Sequence, residues 1–324
     1  MTTPAPLHVV PDAPGHGVVR IARQLAEETG AACVDPARAR LLPPTRIHVH
    51  VTDRLFGSSA EEAATVLAAL ARRHPTTVTL HDVPQPGDGP VFARRAAAYG
   101  AVLSEVDGWA VSSHHEARLV ATHLSPTTPG VVVPLPVIPL DPSPRPAPTT
   151  AAAPTRAGTT PVVGVLGWVY PGKGHAEVLE ACAGLGVTVR ALGGVSEGHD
   201  RLVAELAALA RGLGVGWETT GWIADADLGR ALRQVDVPVA AHRNVSASGS
   251  INTWLAARRR PLVAAGPYAT EMARLRPGTS TLVEEGDLAR AVAKALEHPT
   301  STHLAPTDGT APDLVDCAAA YLAW

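Results

Sequence analysis

PVVGVLGWVYPGKGHAEVLEACAGL, residues 161–185, decides how this chain is read. Residues 161–166 form a valine-rich apolar run with the length and composition of a buried parallel strand. A glycine-bearing loop with one lysine, Lys173, follows, and an amphipathic helix begins near His175. A strand, a Gly172-Lys173-Gly174 loop and a helix N-terminus together make an anion site. Free backbone N–H groups point outward, the helix dipole favours negative charge, and an ammonium supplies the counter-charge. At the head of the second half of an α/β chain, this predicts a bound phosphate or diphosphate. Gly167 and the Gly172-Lys173 pair also fit the opening of a P-loop. However, Gly174 stands where Ser or Thr should hold Mg²⁺, and Trp168, Val169 and Tyr170 are bulky for a loop that wraps phosphate. The spacing argues against an ATPase.

Outward from this stretch, the same rhythm repeats. Strands are expected at 187–192, 215–219, 237–241, 261–265 and 280–284, with helices at 175–184, 199–212, 226–234, 250–258, 268–275 and 287–297. Before it, strands are expected at 7–11, 31–35, 46–51, 76–80, 108–112 and 131–138, and helices at 18–29, 59–74, 92–106 and 113–124. Ser58 or Ser59 can cap the helix at 59–74, with Glu61 and Glu62 in its first turn. Residues 139–160 break the pattern with Pro, Ala and Thr and no hydrophobic periodicity, which is the composition of a linker. The expected organisation is an N-terminal lobe (1–140), a linker (141–160), a C-terminal lobe (161–310) and a C-terminal helix (311–324) near the hinge. Strands alternating with helices imply α/β architecture: two Rossmann-like, doubly wound parallel sheets with ligands at the carboxyl ends of their strands.

Composition narrows the function. The 324 residues are 46% apolar and 18% charged, enough for two packed cores. A net charge of −3 gives no electrostatic case for nucleic acid or an anionic membrane. Cys33, Cys182 and Cys317 are scattered without metal-type spacing, and no signal peptide or bilayer-length apolar run is evident. A reduced, cytoplasmic location is expected.

With these residues in place, the chain resembles the GT-B glycosyltransferases, closest in layout to the family-4 type of nucleotide-sugar-dependent enzyme. In the first half the resemblance rests on Pro14-Gly15-His16-Gly17, Thr79-Leu80-His81-Asp82 and the stretch from Asp107 to Ser113. In the second half it rests on Gly164-Val165-Leu166-Gly167, Gly172-Lys173-Gly174, Thr220-Gly221-Trp222-Ile223, Gln234-Val235-Asp236-Val237 and Ser246-Ala247-Ser248-Gly249-Ser250. The resemblance implies two lobes facing a cleft and a metal-independent hexosyl transfer from a nucleoside-diphosphate sugar, with retention, to a small-molecule, glycan or lipid acceptor. It implies no cofactor beyond that co-substrate. Two departures stand out. Trp168 takes the place of the family's loop arginine, and the paired glutamates of the donor loop fall on Ser246 and Trp254.

Candidate residues follow. Lys173 would neutralise the donor diphosphate and the charge growing on the leaving group, with Gly172, Ser248, Gly249, Ser250 and Arg243 around the phosphates. The resemblance implies base contacts near Trp222 and Ile223. Gly15 and Gly17 would let the first loop approach an acceptor. His16 could act as a base in an inverting alternative, and His81 would lie beside the donor sugar. Asp82 could orient His81 or contact the acceptor. His48 and His50 share a strand face but lack a third ligand with defined spacing, so they read as structural. His114-His115-Glu116 reads as a helix's first turn. Arg258-Arg259-Arg260 reads as a solvated helix end. A non-catalytic nucleotide-sugar-binding protein is the alternative from another class, motivated by the missing glutamates.

Overall fold

A computed structural model describes residues 5–140, 159–242 and 245–324. The chain forms two compact units, Met1–Pro136 with Pro312–Trp324, and Val137–Ala311. Most of the expected linker (141–158) and Arg243 lie outside the described residues.

In the first unit the order is β1 (Leu7–Val9), α1 (Gly17–Glu28), β2 (Cys33–Val34), α2 (Pro36–Ala39), β3 (Ile47–Val51), α3 (Asp53–Phe56) and α4 (Ala60–Ala71). Next come β4 (Thr76–Leu80), α5 (Phe92–Leu103), β5 (Gly108–Val111), α6 (His114–His123) and β6 (Gly130–Val132). The second unit holds β7 (Val162–Leu166), α7 (His175–Ala181), β8 (Thr188–Leu192), α8 (Asp200–Leu213), β9 (Gly216–Thr219) and α9 (Asp225–Arg233). It continues with β10 (Val237–Ala240), α10 (Gly249–Ala256), β11 (Leu262–Ala264), α11 (Pro267–Leu275), β12 (Thr281–Val283) and α12 (Leu288–Glu297). The chain's last helix, α13 (Leu314–Ala323), belongs to the first unit, where Cys317 and Ala318 pack with Leu25 of α1 and Val133. The strand expected at 131–138 stops at Val132, because Pro134 and Pro136 have no N–H to donate to a ladder.

Each unit carries a six-stranded parallel sheet, ordered β2-β1-β3-β4-β5-β6 in the first and β12-β11-β10-β7-β8-β9 in the second. The strand order reverses between β1 and β3 in one unit and between β7 and β10 in the other. Those switch points splay the following loops apart and leave a crevice.

The first sheet has two chemically different faces, set by the period-two alternation of Ile-His-Val-His-Val in β3 and Thr-Thr-Val-Thr-Leu in β4. Val9, Ile47, Val49, Val51, Val78 and Leu80 share an apolar core with Leu67, Leu70 and Leu103 of α4 and α5. On the other face the register places His8 beside His48, His48 beside Thr77, and His50 beside Thr79. There the polar groups satisfy one another, as burial demands. The two nitrogens of His48 lie 2.8 and 2.9 Å from the hydroxyls of Thr77 and Thr79, and Thr79 also meets the Tyr321 hydroxyl at 2.8 Å. Burial pushes His8 and His81 down to about 4. It also lowers His48 and His50 well below the ordinary imidazole value, and each further ring opposes charge on its neighbours.

One sequence reading is overturned in the second unit. Arg259 is buried rather than solvated. Its guanidinium donates to the carbonyls of Leu232, Val235 and Asp236 and to the carbonyl and hydroxyl of Thr302. The C-terminal turn of α9 and the start of β10 leave carbonyls without helical partners, and a planar five-donor fork satisfies them.

Two predictions follow. Gly164 in β7 has no room for a side chain: a Cβ there would lie 2.7 Å from Val235 Cγ2 and 2.9 Å from Leu192 Cδ1. Gly164→Ala should destabilise the protein by about 1–3 kcal/mol, read as a lower urea midpoint with an unchanged slope. The histidine face should make the first unit acid-labile. Its folded pKa values lie below the unfolded 6.5, so its stability is complete above pH 6.5 and is lost as pH falls towards about 4. His8 and His81 alone should remove roughly 3 kcal/mol per pH unit in that window. A thermal midpoint unchanged between pH 7 and 4.5 would contradict this.

Candidate active site

The loops after β7 and β10, the two strands flanking the second unit's switch point, bring together residues far apart in sequence. Lys173 sits in the β7–α7 loop and is only 5% exposed. Its ammonium contacts His242 Nε2 and donates to Ser250 Oγ at 3.2 Å. Ser250 Oγ lies 3.2 Å from the same imidazole nitrogen and 3.1 Å from Ser248 Oγ. Ser248 caps α10: its hydroxyl accepts the Ile251 N–H at 3.3 Å, and its own N–H donates to the Tyr268 hydroxyl. The result is a cation, two hydroxyls and a helix N-terminus in one buried cluster, the donor set an anion requires. Burial lowers Lys173 to about 7. Burial, reinforced by the facing ammonium, holds His242 well below the ordinary imidazole range.

Glycines make this burial geometrically feasible. Gly167 has φ 114°, and a Cβ on it would stand 2.9 Å from Lys173 Nζ. Gly174, the N-cap of α7 with φ 93°, packs its α-carbon directly against the Ala241 carbonyl. Gly172 also has positive φ.

Beside this loop, Trp168 and Trp222 are 43% and 55% exposed, with ring centroids 6.0 Å apart. Trp168 lies over Gly194, where any Cβ would strike its ring. These two planar surfaces form an aromatic shelf at the carboxyl ends of β7 and β9. Ile223 turns inward and packs against the cluster of Leu228 and Leu232. Trp254 is wholly buried in that same cluster, so the side chain at this position of α10 faces core. Ser246 is also buried.

In the first unit, His16 precedes α1, and its Nδ1 accepts the Val18 N–H at 3.2 Å. A neutral imidazole accepting at Nδ1 carries its proton on Nε2, so this ring presents a donor rather than a base. Gly15 lies in the turn before it, and Gly17 is the first residue of α1, where an added Cβ would meet nothing within 4 Å. His81, just beyond β4, bonds through Nε2 to His50 Nδ1 at 2.9 Å. Asp82 does not orient His81. Its carboxylate accepts from Arg95 at 2.7 Å, and Arg95 also holds Asp53 at 3.0 Å and contacts Asp88. A partly buried guanidinium draws in the carboxylates around it, which takes Asp82 away from the imidazole. Glu116 is buried and accepts the Ser112 N–H and hydroxyl, at 2.8 and 2.6 Å, so it fixes the β5–α6 turn.

Sequence reasoning missed His242 and His175. His242 directly follows a strand and carries no motif. His175 reads as a helix start, yet it is buried edge-on to Trp217, with its pKa lowered to about 4 by burial and by Lys173. Among the described residues no group of three or more His, Cys, Asp or Glu is arranged to hold a metal ion. No helix there is long and apolar enough to cross a membrane.

No family model matches the chain, and no curated protein does. Solved structures do. HepE of Anabaena, crystallised with UDP and glucose, superposes with a TM-score of 0.70 at 14% identity, covering 98% of this chain and 97% of that one. Sucrose-phosphate synthase from Thermosynechococcus elongatus gives 0.60 at 17% identity, over 86% of this chain and 68% of its own. The UDP-forming α,α-trehalose-phosphate synthase of Burkholderia vietnamiensis gives 0.58 at 13% identity, over 94% and 74%. With its two parallel six-stranded sheets and flanking helices, the chain has the GT-B fold.

Proposed function

We propose that this protein is a glycosyltransferase that moves a sugar from a nucleoside-diphosphate sugar to an acceptor hydroxyl. The second unit would hold the donor and the first the acceptor. The observation that carries the reading is the buried Lys173 ammonium, set against Ser250 and the N-terminus of α10 at the switch point of a parallel sheet. That donor set suits a diphosphate. HepE, similar in fold, was crystallised with UDP-glucose, which makes uridine nucleotides the first donors to test.

In this reading the bond between the anomeric carbon and the diphosphate oxygen breaks while the acceptor oxygen bonds to the same carbon. Lys173 and the α10 N–H groups take the charge left on the departing phosphate. The acceptor's proton passes to that phosphate oxygen on the same face, giving retention. An inverting route through His16 is disfavoured, because its Nδ1 is engaged by Val18. Lys173 and the helix N-terminus supply the neutralisation that a divalent ion supplies elsewhere, so turnover needs no metal and no separate cofactor. Trp168 and Trp222 would receive the planar base.

The test separates function from folding. Lys173 titrates near 7 in the fold against 10.5 unfolded, so its contribution to stability is complete only above pH 10.5 and is lost as pH falls through 7. Lys173→Met should therefore not lower the thermal midpoint at pH 7, with a gain of up to about 5 kcal/mol. The same variant should lose roughly 10²–10³ in turnover, together with most of its UDP affinity. In the native protein, UDP should raise the lysine's pKa. Calorimetry in buffers of different ionisation enthalpy should find about one proton taken up at pH 8 and close to none at pH 6. Unchanged UDP affinity and turnover in Lys173→Met would sink the assignment. Loss of turnover with EDTA, restored by Mn²⁺, would sink the metal-free mechanism.

A further inference from the structure

The first unit contains a row of imidazoles that the mechanism above leaves unused. His81 Nε2 lies 2.9 Å from His50 Nδ1, and His50 Nε2 lies 3.2 Å from His8 Nδ1. The rings are nearly parallel along this path, with centroids 5.2 and 5.3 Å apart and interplanar angles of 27° and 28°. His8 and His50 are at most 3% exposed. At one end His81 lines a pocket with Thr79, Ser112, Pro134 and Tyr321. At the other, His8 lines a separate pocket with Pro6, Arg46 and Trp324. His48 stands alongside but is not a link, since both its nitrogens face threonine hydroxyls.

We propose that His8 and His50 are positioning residues that act through His81: the three rings form a proton-relay chain that fixes the tautomer His81 presents at Nδ1.

Each link joins an Nδ1 to an Nε2, so the rings run head to tail. A neutral imidazole has one N–H and one lone pair, and each link needs one of each. If His81 donates from Nε2, His50 must accept at Nδ1 and donate from Nε2, and His8 must accept at Nδ1 and carry its proton on Nε2. If His8 donates from Nδ1, the order reverses throughout. Two neutral arrangements satisfy both links, and in each all three rings share one tautomer. In the first, His81 offers a lone pair at Nδ1. In the second, it offers an N–H.

Interconversion balances. A proton accepted at His81 Nδ1 is matched by transfer of the His81 Nε2 proton to His50 Nδ1. The His50 Nε2 proton then passes to His8 Nδ1, and the His8 Nε2 proton leaves to water. One proton enters and one leaves, and no ring keeps a charge. That matters because burial opposes a lasting imidazolium: His8 and His81 titrate near 4, and burial and the neighbouring rings hold His50 well below the ordinary imidazole value. The other titratable groups packed around the row are His48 on β3, His16 before α1, and Cys317 and Tyr321 on α13, with Arg46 at the His8 pocket and Glu116 on α6. No carboxylate is hydrogen-bonded to the three chain rings among the described residues. Such a partner would otherwise pin one ring as a cation.

Use of the relay in sugar transfer rests on the glycosyltransferase reading, whereas the tautomeric coupling stands without it. The experiment is long-range ¹H–¹⁵N correlation on the ligand-free, full-length protein at pH 7.5. His8, His50 and His81 should report one shared tautomer, and His8→Phe should change the Nδ1/Nε2 pattern of His81, two links away. Mixed tautomers in the native protein would overturn the proposal, as would an unaltered His81 pattern in folded His8→Phe. If that variant fails to fold, the native tautomers decide alone. Once turnover with UDP-glucose is established, His8→Phe should lower kcat about tenfold with KM unchanged, the loss of one hydrogen bond that a fixed His81 tautomer offers a substrate hydroxyl from Nδ1, while the acceptor's proton still leaves on the phosphate. Unchanged kcat would remove the relay's role in transfer. Absence of turnover in the native protein would count against the glycosyltransferase reading and leave the coupling to the spectra.

Discussion

An ammonium taken out of water is the constraint around which the second unit is arranged. Burying Lys173 is unfavourable by itself, as its lowered pKa records. The fold accommodates it by bringing the loops after β7 and β10 to the switch point and lining the space with hydroxyls and an imidazole lone pair. Gly167 and Gly174 are the backbone's part of this arrangement, because any side chain there would displace the ammonium or the Ala241 carbonyl. β7 is the central strand on which both the core and the site converge, and it leaves no spare volume on either side.

The first unit solves a related problem differently. A sheet covered on both faces ordinarily carries apolar runs, and its apolar face does so. Its second face is imidazole and hydroxyl, held together by partners across neighbouring strands and on α13. Such a face is stable only while the imidazoles are neutral. Acid lability and tautomeric order are two consequences of one arrangement.

How much of this was legible in the sequence follows from how each signal is encoded. The strands of both sheets declare themselves as short β-branched runs, and Lys173 declares itself through its flanking glycines. Register is not encoded locally. His242 stands 69 residues from Lys173, and only the pairing of β7 with β10 brings them together. His48 and His50 were visible as alternating positions on one strand, but their partners His8, Thr77, Thr79 and His81 come from neighbouring strands. Arg259 looked like a solvated helix end because a charge run carries no record of the carbonyls that await it. Of the two roles open to Asp82, orienting His81 fails because Arg95, 13 residues on, reaches back from α5 and takes its carboxylate.

Trp254 bears most directly on donor chemistry. It occupies the position to which the resemblance assigned a glutamate, yet it is sealed among Leu166, Leu192, Leu232 and Val235. A carboxylate there would be an unpaired charge in an apolar cluster, so this face of α10 serves packing, and the ribose contact that the family's second glutamate makes has no counterpart at this position. In the proposed reading, recognition of a nucleoside would therefore draw on other surfaces, and the exposed ring faces of Trp168 and Trp222 are the apolar planes beside the Lys173 loop. Stacking is tolerant of base identity, whereas a carboxylate on a ribose hydroxyl fixes orientation. On the proposed reading, a site that stacks the base rather than pairing the ribose would rely on its phosphate contacts for orientation, which returns the burden to Lys173 and the glycines that make room for it.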